Sequence, residues 1–243
     1  MQVSRAIVDA IEKEGITHVF MVPGGIVDGF TDELSKTPGI KTVVTAHEGG
    51  AIAMADGYSR ASGKFGVAMC IAGPGIMNMM TGIYTAYMDH SPVFIISGEV
   101  PTTWEGRGGF QDTSPHGSVH DGEMLRHITC MTCSVESTTN LQFYIRALFQ
   151  KMRGANSHGP VHLGIPADLQ RAQTDYVHVP LSPKLTQARV LDNSACRMVP
   201  DLLAQSVKVA MICGSGAHDV QTSAALIEFA DKYHVPVVTT FAA

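Results

Sequence analysis

Apolar residues recur along the chain with two alternating periods. Val3, Ala6, Ile7, Ala10 and Ile11 fall at i, i+3, i+4, i+7 and i+8, one face of a helix. Gly15 ends that pattern, and Thr17-His18-Val19-Phe20 reads as a short strand before the turn Pro23-Gly24-Gly25. Further strands are predicted over 40–45, 66–71, 92–97, 129–135 and 160–164, with helices over 27–36, 48–62, 76–88 and 138–153. Buried apolar strands that alternate with helices predict an α/β fold with a doubly wound, mostly parallel sheet.

Two stretches break the rhythm. Residues 99–128 carry Gly, Pro, Ser, His and Asp with little periodicity, a length at which loops are usually functional. Residues 169–192, with Pro180 and Pro183, read as a linker. The pattern then restarts with a helix near 194–206, a strand over 208–213, a helix near 219–233 and a strand over 235–240. The expected organisation is one domain over 1–168, a linker over 169–192, and a truncated, Rossmann-like α/β domain over 193–243. Two strands and two helices make a marginal domain, so the chain is expected to be a fragment or one subunit of a split enzyme.

Composition narrows the class. Of 243 residues 45% are hydrophobic and 16% charged, which excludes disorder. The 17 Lys and Arg against 22 Asp and Glu give a net charge of -5 with no basic block, which argues against nucleic acid. No run approaches the roughly 18 apolar residues of a membrane span. The N-terminus leads straight into a helical pattern, and Cys70, Cys130, Cys133, Cys196 and Cys213 are scattered, as reduced thiols of a cytoplasmic protein would be.

Candidate chemistry gathers where strands end. An apolar strand delivers Glu48 to the start of a helix rich in small residues, Ala51, Ala53, Ala55 and Gly57, which permit close approach. An acid in a first helical turn also suits the helix dipole, so spacing alone leaves both readings open. Gly73-Pro74-Gly75 joins a strand to a helix, as anion-binding or merely tight turns do. Pro23-Gly24-Gly25, Glu48 and Gly73-Pro74-Gly75 all follow predicted parallel strands, the edge at which open α/β sheets bind ligands. Cys130 and Cys133, near His116 and His120, have zinc-like spacing, but residues three apart in a strand point to opposite faces. No metal ligand is assigned. Gly214-Ser215-Gly216 lacks the third glycine of a dinucleotide fingerprint, since Asp219 stands there.

The run His47-Glu48, Met54-Ala55-Asp56-Gly57-Tyr58-Ser59-Arg60-Ala61-Ser62-Gly63-Lys64 and Gly73-Pro74-Gly75 with Asn78 resembles the pyrimidine-binding domain of thiamine-diphosphate enzymes, of the acetolactate synthase-like group. Val22-Pro23-Gly24-Gly25, Phe110-Gln111-Asp112 and Gly159–Asp168 reinforce the likeness. Lys208–Gly216 and Val235–Thr240 resemble the start of the family's central domain.

The resemblance implies thiamine diphosphate as cofactor and a 2-oxo acid as substrate, decarboxylated and then carboligated. It makes Glu48 the catalytic carboxyl at N1′ of the aminopyrimidine. Protonated there, it favours the 4′-imino tautomer that deprotonates thiazolium C2. It places Pro23, Gly24 and Gly25 near the thiazolium, Gly73, Gly75 and Asn78 along the pyrimidine, and Phe110 and Gln111 in the substrate pocket, Gln111 with a catalytic part.

Two departures bear on the activity. Arg126 keeps the arginine that lies near FAD in flavin-containing acetolactate synthases. His127 stands for Pro and Cys130 for Lys, however, which weighs against FAD and against an authentic acetolactate synthase. The family's Gly-Asp-Gly…Asn motif, which holds Mg²⁺ and the diphosphate, does not occur in these residues. This chain alone is therefore expected to be inactive, and to need a homodimer or a separate diphosphate-domain chain. The alternatives are a truncated, non-catalytic binding module and, behind it, a nicotinamide or flavin oxidoreductase.

Overall fold

The computed structural model describes residues 1–109, 111–115, 119–153, 157–180, 193–217 and 220–241. The chain forms two units, 1–188 and 189–243. In the first, β1 (His18–Met21), β2 (Lys41–Val44), β3 (Gly66–Ile71), β4 (Val93–Glu99), β5 (Met131–Ser134) and β6 (Val161–Pro166) form one sheet. Their order is β2-β1-β3-β4-β6-β5 and every pairing is parallel. The chain steps from β1 outward to β2, then back across β1 to β3, so its winding reverses between β1 and β3. Such reversal points are where doubly wound sheets open a crevice at their carboxyl edge.

Helices α1 (Val3–Lys13), α2 (Asp28–Ser35), α3 (Glu48–Ser62), α4 (Pro74–Met88), α5 (Asp121–Leu125), α6 (Leu141–Arg153) and α7 (Ala167–Arg171) complete this unit. Alternate strand residues feed two cores. Val19, Met21, Val67, Met69, Phe94, Ile96, Val161 and Leu163 pack with Ile7, Ile11, Phe30, Leu148 and Phe149. On the other face, Phe20, Ala68, Cys70 and Ile95 pack with Ala51, Ile52, Ile76, Met79 and Ile83 of α3 and α4. Central strands covered on both faces must be apolar at successive positions, which is why β3 and β4 read as continuous runs. Phe149 anchors α6, with its ring edge-on to Phe94 at 5.3 Å and tilted against Phe65 at 5.3 Å. Each such fully buried side chain is worth about 1.5–3 kcal/mol.

Residues 169–180, read from the sequence as the start of a linker, lie on the first unit. Gln170 is buried, and its Nε2 donates to the Ile26 carbonyl at 2.7 Å and the Ile165 carbonyl at 2.9 Å. Further on, Tyr176 Oη meets His178 Nδ1 at 2.7 Å, and His178 Nε2 meets Glu14 Oε1 at 2.7 Å. Positions 181–192 of the expected linker lie outside the described residues. Within the aperiodic stretch 99–128, a 3-10 turn (Thr102–Trp104) and α5 form. Asp168 holds that turn, accepting from Thr102 N at 3.0 Å and Thr102 Oγ1 at 2.6 Å.

The second unit contains α8 (Asn193–Gln205), β7 (Met211–Cys213), α9 (Val220–Tyr233) and β8 (Val237–Thr239). β7 and β8 pair in parallel, from Met211 opposite Val237 to Cys213 opposite Thr239. Among the described residues, no helix is long and apolar enough to cross a membrane.

Candidate active site

All six strands of the first unit's sheet run the same way, so the turns after β1, β2 and β3 emerge at one edge, on adjacent strands. The turn after β1 touches β3 directly: a methyl on Gly24 would stand 2.5 Å from Ile71 Cγ2. The start of α4 rests on the same strand end, since a methyl on Gly75 would stand 3.2 Å from Cys70 Cβ. Pro23 and Gly25 are exposed at this edge.

Glu48 sits in the first turn of α3 and is buried. His47 caps that helix through its ring, Nδ1 accepting from Gly49 N at 3.0 Å. At the other end Gly63, in the left-handed conformation at φ 66°, stops the helix. Between them Ala51 and Ala55 are fully buried, and α4 comes close enough that a methyl on Gly82 would stand 2.3 Å from Ile52 Cγ2. That close packing sets α4 so that Asn78 Nδ2 donates to Glu48 Oε2 at 2.8 Å. Two residues 30 apart in sequence, each singled out from the sequence, thus meet side chain to side chain.

Gly73 is the N-cap of α4, with Pro74 at the first helical position, which is why the helix starts at 74 rather than 76. Gly73 has φ 66° and ψ −111°, which L side chains rarely adopt. Beside it lie Gln111 and Thr113: a methyl on Gly73 would stand 3.7 Å from Gln111 Cα and 3.5 Å from Thr113 Cγ2. Gln111 itself has φ 66°, a left-handed conformation rare for a residue with a side chain. Phe110, the other expected pocket residue, lies outside the described residues, as do His116 and Asp219.

Two buried acids and a buried histidine, which periodicity did not single out, belong to the same unit. Glu99 ends β4, and Ser134 Oγ donates to its Oε1 at 3.2 Å. Burial pushes the Glu99 carboxyl up to about 8, against the opposing pull of Ser134. Asp121 is fully buried and accepts from Gly73 N at 2.8 Å. Burial raises its carboxyl above the usual aspartate range, while the Gly73 N–H, the Thr113 hydroxyl and His120 pull it back. His162 is fully buried on β6, between Ser97 Oγ at 2.8 Å and Thr132 Oγ1 at 2.7 Å. Burial, with a smaller contribution from His120, pushes it down to about 3, so it is neutral. The Cys70 thiol is raised by burial and then by the negative charges of Asp121 and Glu48.

Other sequence candidates fall elsewhere. Cys133 lies in β5, where burial pushes its thiol up to about 11. Arg126 is exposed and pairs with Glu123 at 3.3 Å. Gly214 precedes a 3-10 turn over Ser215–Ala217.

Residues 1–118 match the family "Thiamine pyrophosphate enzyme, N-terminal TPP binding domain". The chain is 31% identical over 245 residues to a probable acetolactate synthase large subunit of Methanocaldococcus jannaschii, covering 99% of this chain and 40% of that protein. An acetolactate synthase of Arthrospira platensis is 31% identical over 242 residues, 97% of this chain and 41% of the relative. The acetolactate synthase large subunit of Haemophilus influenzae is 30% identical over 240 residues, 96% and 40% respectively. The chain thus spans about two-fifths of the length of these relatives. A parallel α/β domain of this topology, matching over 1–118 and aligned along nearly the whole chain, is similar to the N-terminal domain of the thiamine pyrophosphate enzymes and to acetolactate synthases.

Proposed function

We propose that this chain binds the aminopyrimidine half of thiamine diphosphate, and that the protein it belongs to decarboxylates a 2-oxo acid and ligates the product to a second carbonyl compound. The observation that carries this reading is the contact of buried Glu48 with Asn78, set at the carboxyl edge beside the point where the sheet's winding reverses. The residues fit a flat, polar ring. A carboxyl and an amide stand together at the start of α3 and α4, and the glycine turn at Gly73 brings main chain close without a side chain.

Thiamine diphosphate, when bound, supplies the electron sink for the bond that breaks with release of carbon dioxide. Because Asn78 donates to Glu48 Oε2, Oε1 is the oxygen left to hold a proton toward the ring nitrogen. Gly73, Gly75 and Asn78 would line the pyrimidine, and Pro23, Gly24 and Gly25 would approach the thiazolium. Gln111, whose main chain lies against Gly73, would shape the substrate pocket together with Phe110. Mg²⁺ and the diphosphate would be held by a diphosphate-binding domain. FAD has no part in the proposal, since Arg126 is engaged with Glu123 on the surface.

A second subunit belongs to the same reading, either another copy or a chain bearing the diphosphate domain. Its support is apolar surface on the helices that carry the site: Met54 on α3, and Met77, Tyr84 and Met88 on α4, are each at least 40% exposed. A cytoplasmic location fits the free Cys70, Cys130, Cys133 and Cys213 among the described residues.

The test is equilibrium binding of thiamine diphosphate with Mg²⁺ to the full-length gene product, followed by carbon dioxide release from pyruvate and other 2-oxo acids. Saturable binding and release are expected. A full-length protein that binds no thiamine diphosphate contradicts the proposal.

A further inference from the structure

One buried hydrogen bond joins the long loop after β4 to the turn after β3. Gly73 N donates to Asp121 Oδ2 at 2.8 Å across 48 residues of sequence. The turn it holds is demanding. At φ 66° and ψ −111° Gly73 has a backbone form open to glycine, and no side chain of its own caps α4. Its carbonyl accepts the first bond of the helix, from Met77 N at 2.9 Å. What fixes Gly73 therefore fixes where α4 begins, and Asn78 follows five residues later with its bond to Glu48.

Asp121 is well placed to do this. It opens α5 and is fully buried, and its own N–H reaches back to the Thr113 carbonyl at 3.4 Å. Thr113 and Gln111 lie against Gly73 on the loop side. A carboxylate accepting from a backbone N–H out of water makes a strong, directional bond.

We propose that Asp121 is a positioning residue for the cofactor, holding the Gly73–Pro74 turn and thereby the meeting of Asn78 with Glu48. This rests on the reading of that pair as the aminopyrimidine site. Asp121 acts through Gly73, so its loss should weaken cofactor binding, while an acceptor of the same length should preserve it.

The experiment compares Asp121→Ala and Asp121→Asn in the full-length gene product, with two readouts. One is the dissociation constant for thiamine diphosphate in the presence of Mg²⁺. The other is amide hydrogen exchange of the segment 71–78 without cofactor. Asp121→Ala should raise the dissociation constant at least ten-fold and speed exchange of the segment. Asp121→Asn, whose Oδ1 accepts the same bond, should stay within three-fold of wild type with protection retained. Should the alanine variant not fold, Asp121→Ser replaces it, keeping a polar group that is too short to reach Gly73, with the same losses expected.

Unchanged affinity and exchange in folded Asp121→Ala or Asp121→Ser would overturn the proposal. So would a folded Asp121→Asn that loses affinity as the alanine variant does. Wild-type protein that binds no thiamine diphosphate would overturn the functional reading instead. The exchange readout would then still decide whether Asp121 holds the turn, so the two failures are distinguishable.

Discussion

Asn78 donates its side-chain N–H to Glu48 Oε2 at 2.8 Å, joining the second turn of α4 to the first turn of α3, two helices that follow non-adjacent strands. The bond makes Oε2 an acceptor and, under the proposed function, leaves Oε1 as the oxygen that would face the cofactor. Asn78→Ala removes the donor without touching the fold's core, since Asn78 is exposed. A hydrogen bond of this kind is worth about 1–2 kcal/mol, or roughly ten-fold in affinity. Titration of the full-length variant with thiamine diphosphate should show that weakening, with thermal stability near wild type. Wild-type affinity would mean that the contact does not orient Glu48 for the cofactor.

Glu99 predicts a loss of stability toward alkaline pH. In the unfolded chain its carboxyl releases a proton near 4.5, whereas the folded protein keeps it until about 8. Between those values the unfolded state binds fewer protons, so stability falls as pH rises, by up to about 1.4 kcal/mol per pH unit. Glu99→Gln has no proton to lose. Urea denaturation at pH 5 and pH 8 should show the variant gaining on wild type at the higher pH. Parallel behaviour at both values would mean that Glu99 titrates alike folded and unfolded.

His162 acts in the opposite sense. Unfolded, it takes up a proton near 6.5; folded, it stays neutral down to about 3. Below 6.5 the unfolded state binds the additional proton, and stability falls as pH falls through that window. His162→Gln keeps a polar group between Ser97 and Thr132 and removes the titration. The variant should therefore lose less stability than wild type between pH 7 and pH 5. An equal loss in both would place the acid sensitivity elsewhere.

Much of the frame was legible because local signals and packing agree. α3 spans 48–62 and β3 spans 66–71, as the sequence predicts, since Gly63 ends the helix and both strand faces are buried. Glu48 and Gly73 stand out in the sequence because they follow predicted parallel strands, whereas Asn78 enters only with the resemblance to a known family. What stayed hidden depends on distant partners. The turn at Thr102–Trp104 is held by Asp168, and α5 is only five residues long, inside a stretch with no period of its own. Asp121 gains its meaning from Gly73, His162 is a polar residue inside a strand that otherwise reads as core, and Glu99 falls just past the predicted strand at the start of the aperiodic stretch. The segment after α7 reads as linker in the sequence because its anchor is distant: Tyr176 meets His178, and His178 meets Glu14, the residue that ends the first helix.

The most direct test of the account is exchange of the C2 proton of bound thiamine diphosphate, measured in the complete assembly with wild type and Glu48→Gln. Gln keeps the shape and the contact with Asn78 but has no carboxyl proton to give. The account predicts rapid exchange in wild type and its loss in the variant while cofactor binding is retained. Rapid exchange in Glu48→Gln would contradict it.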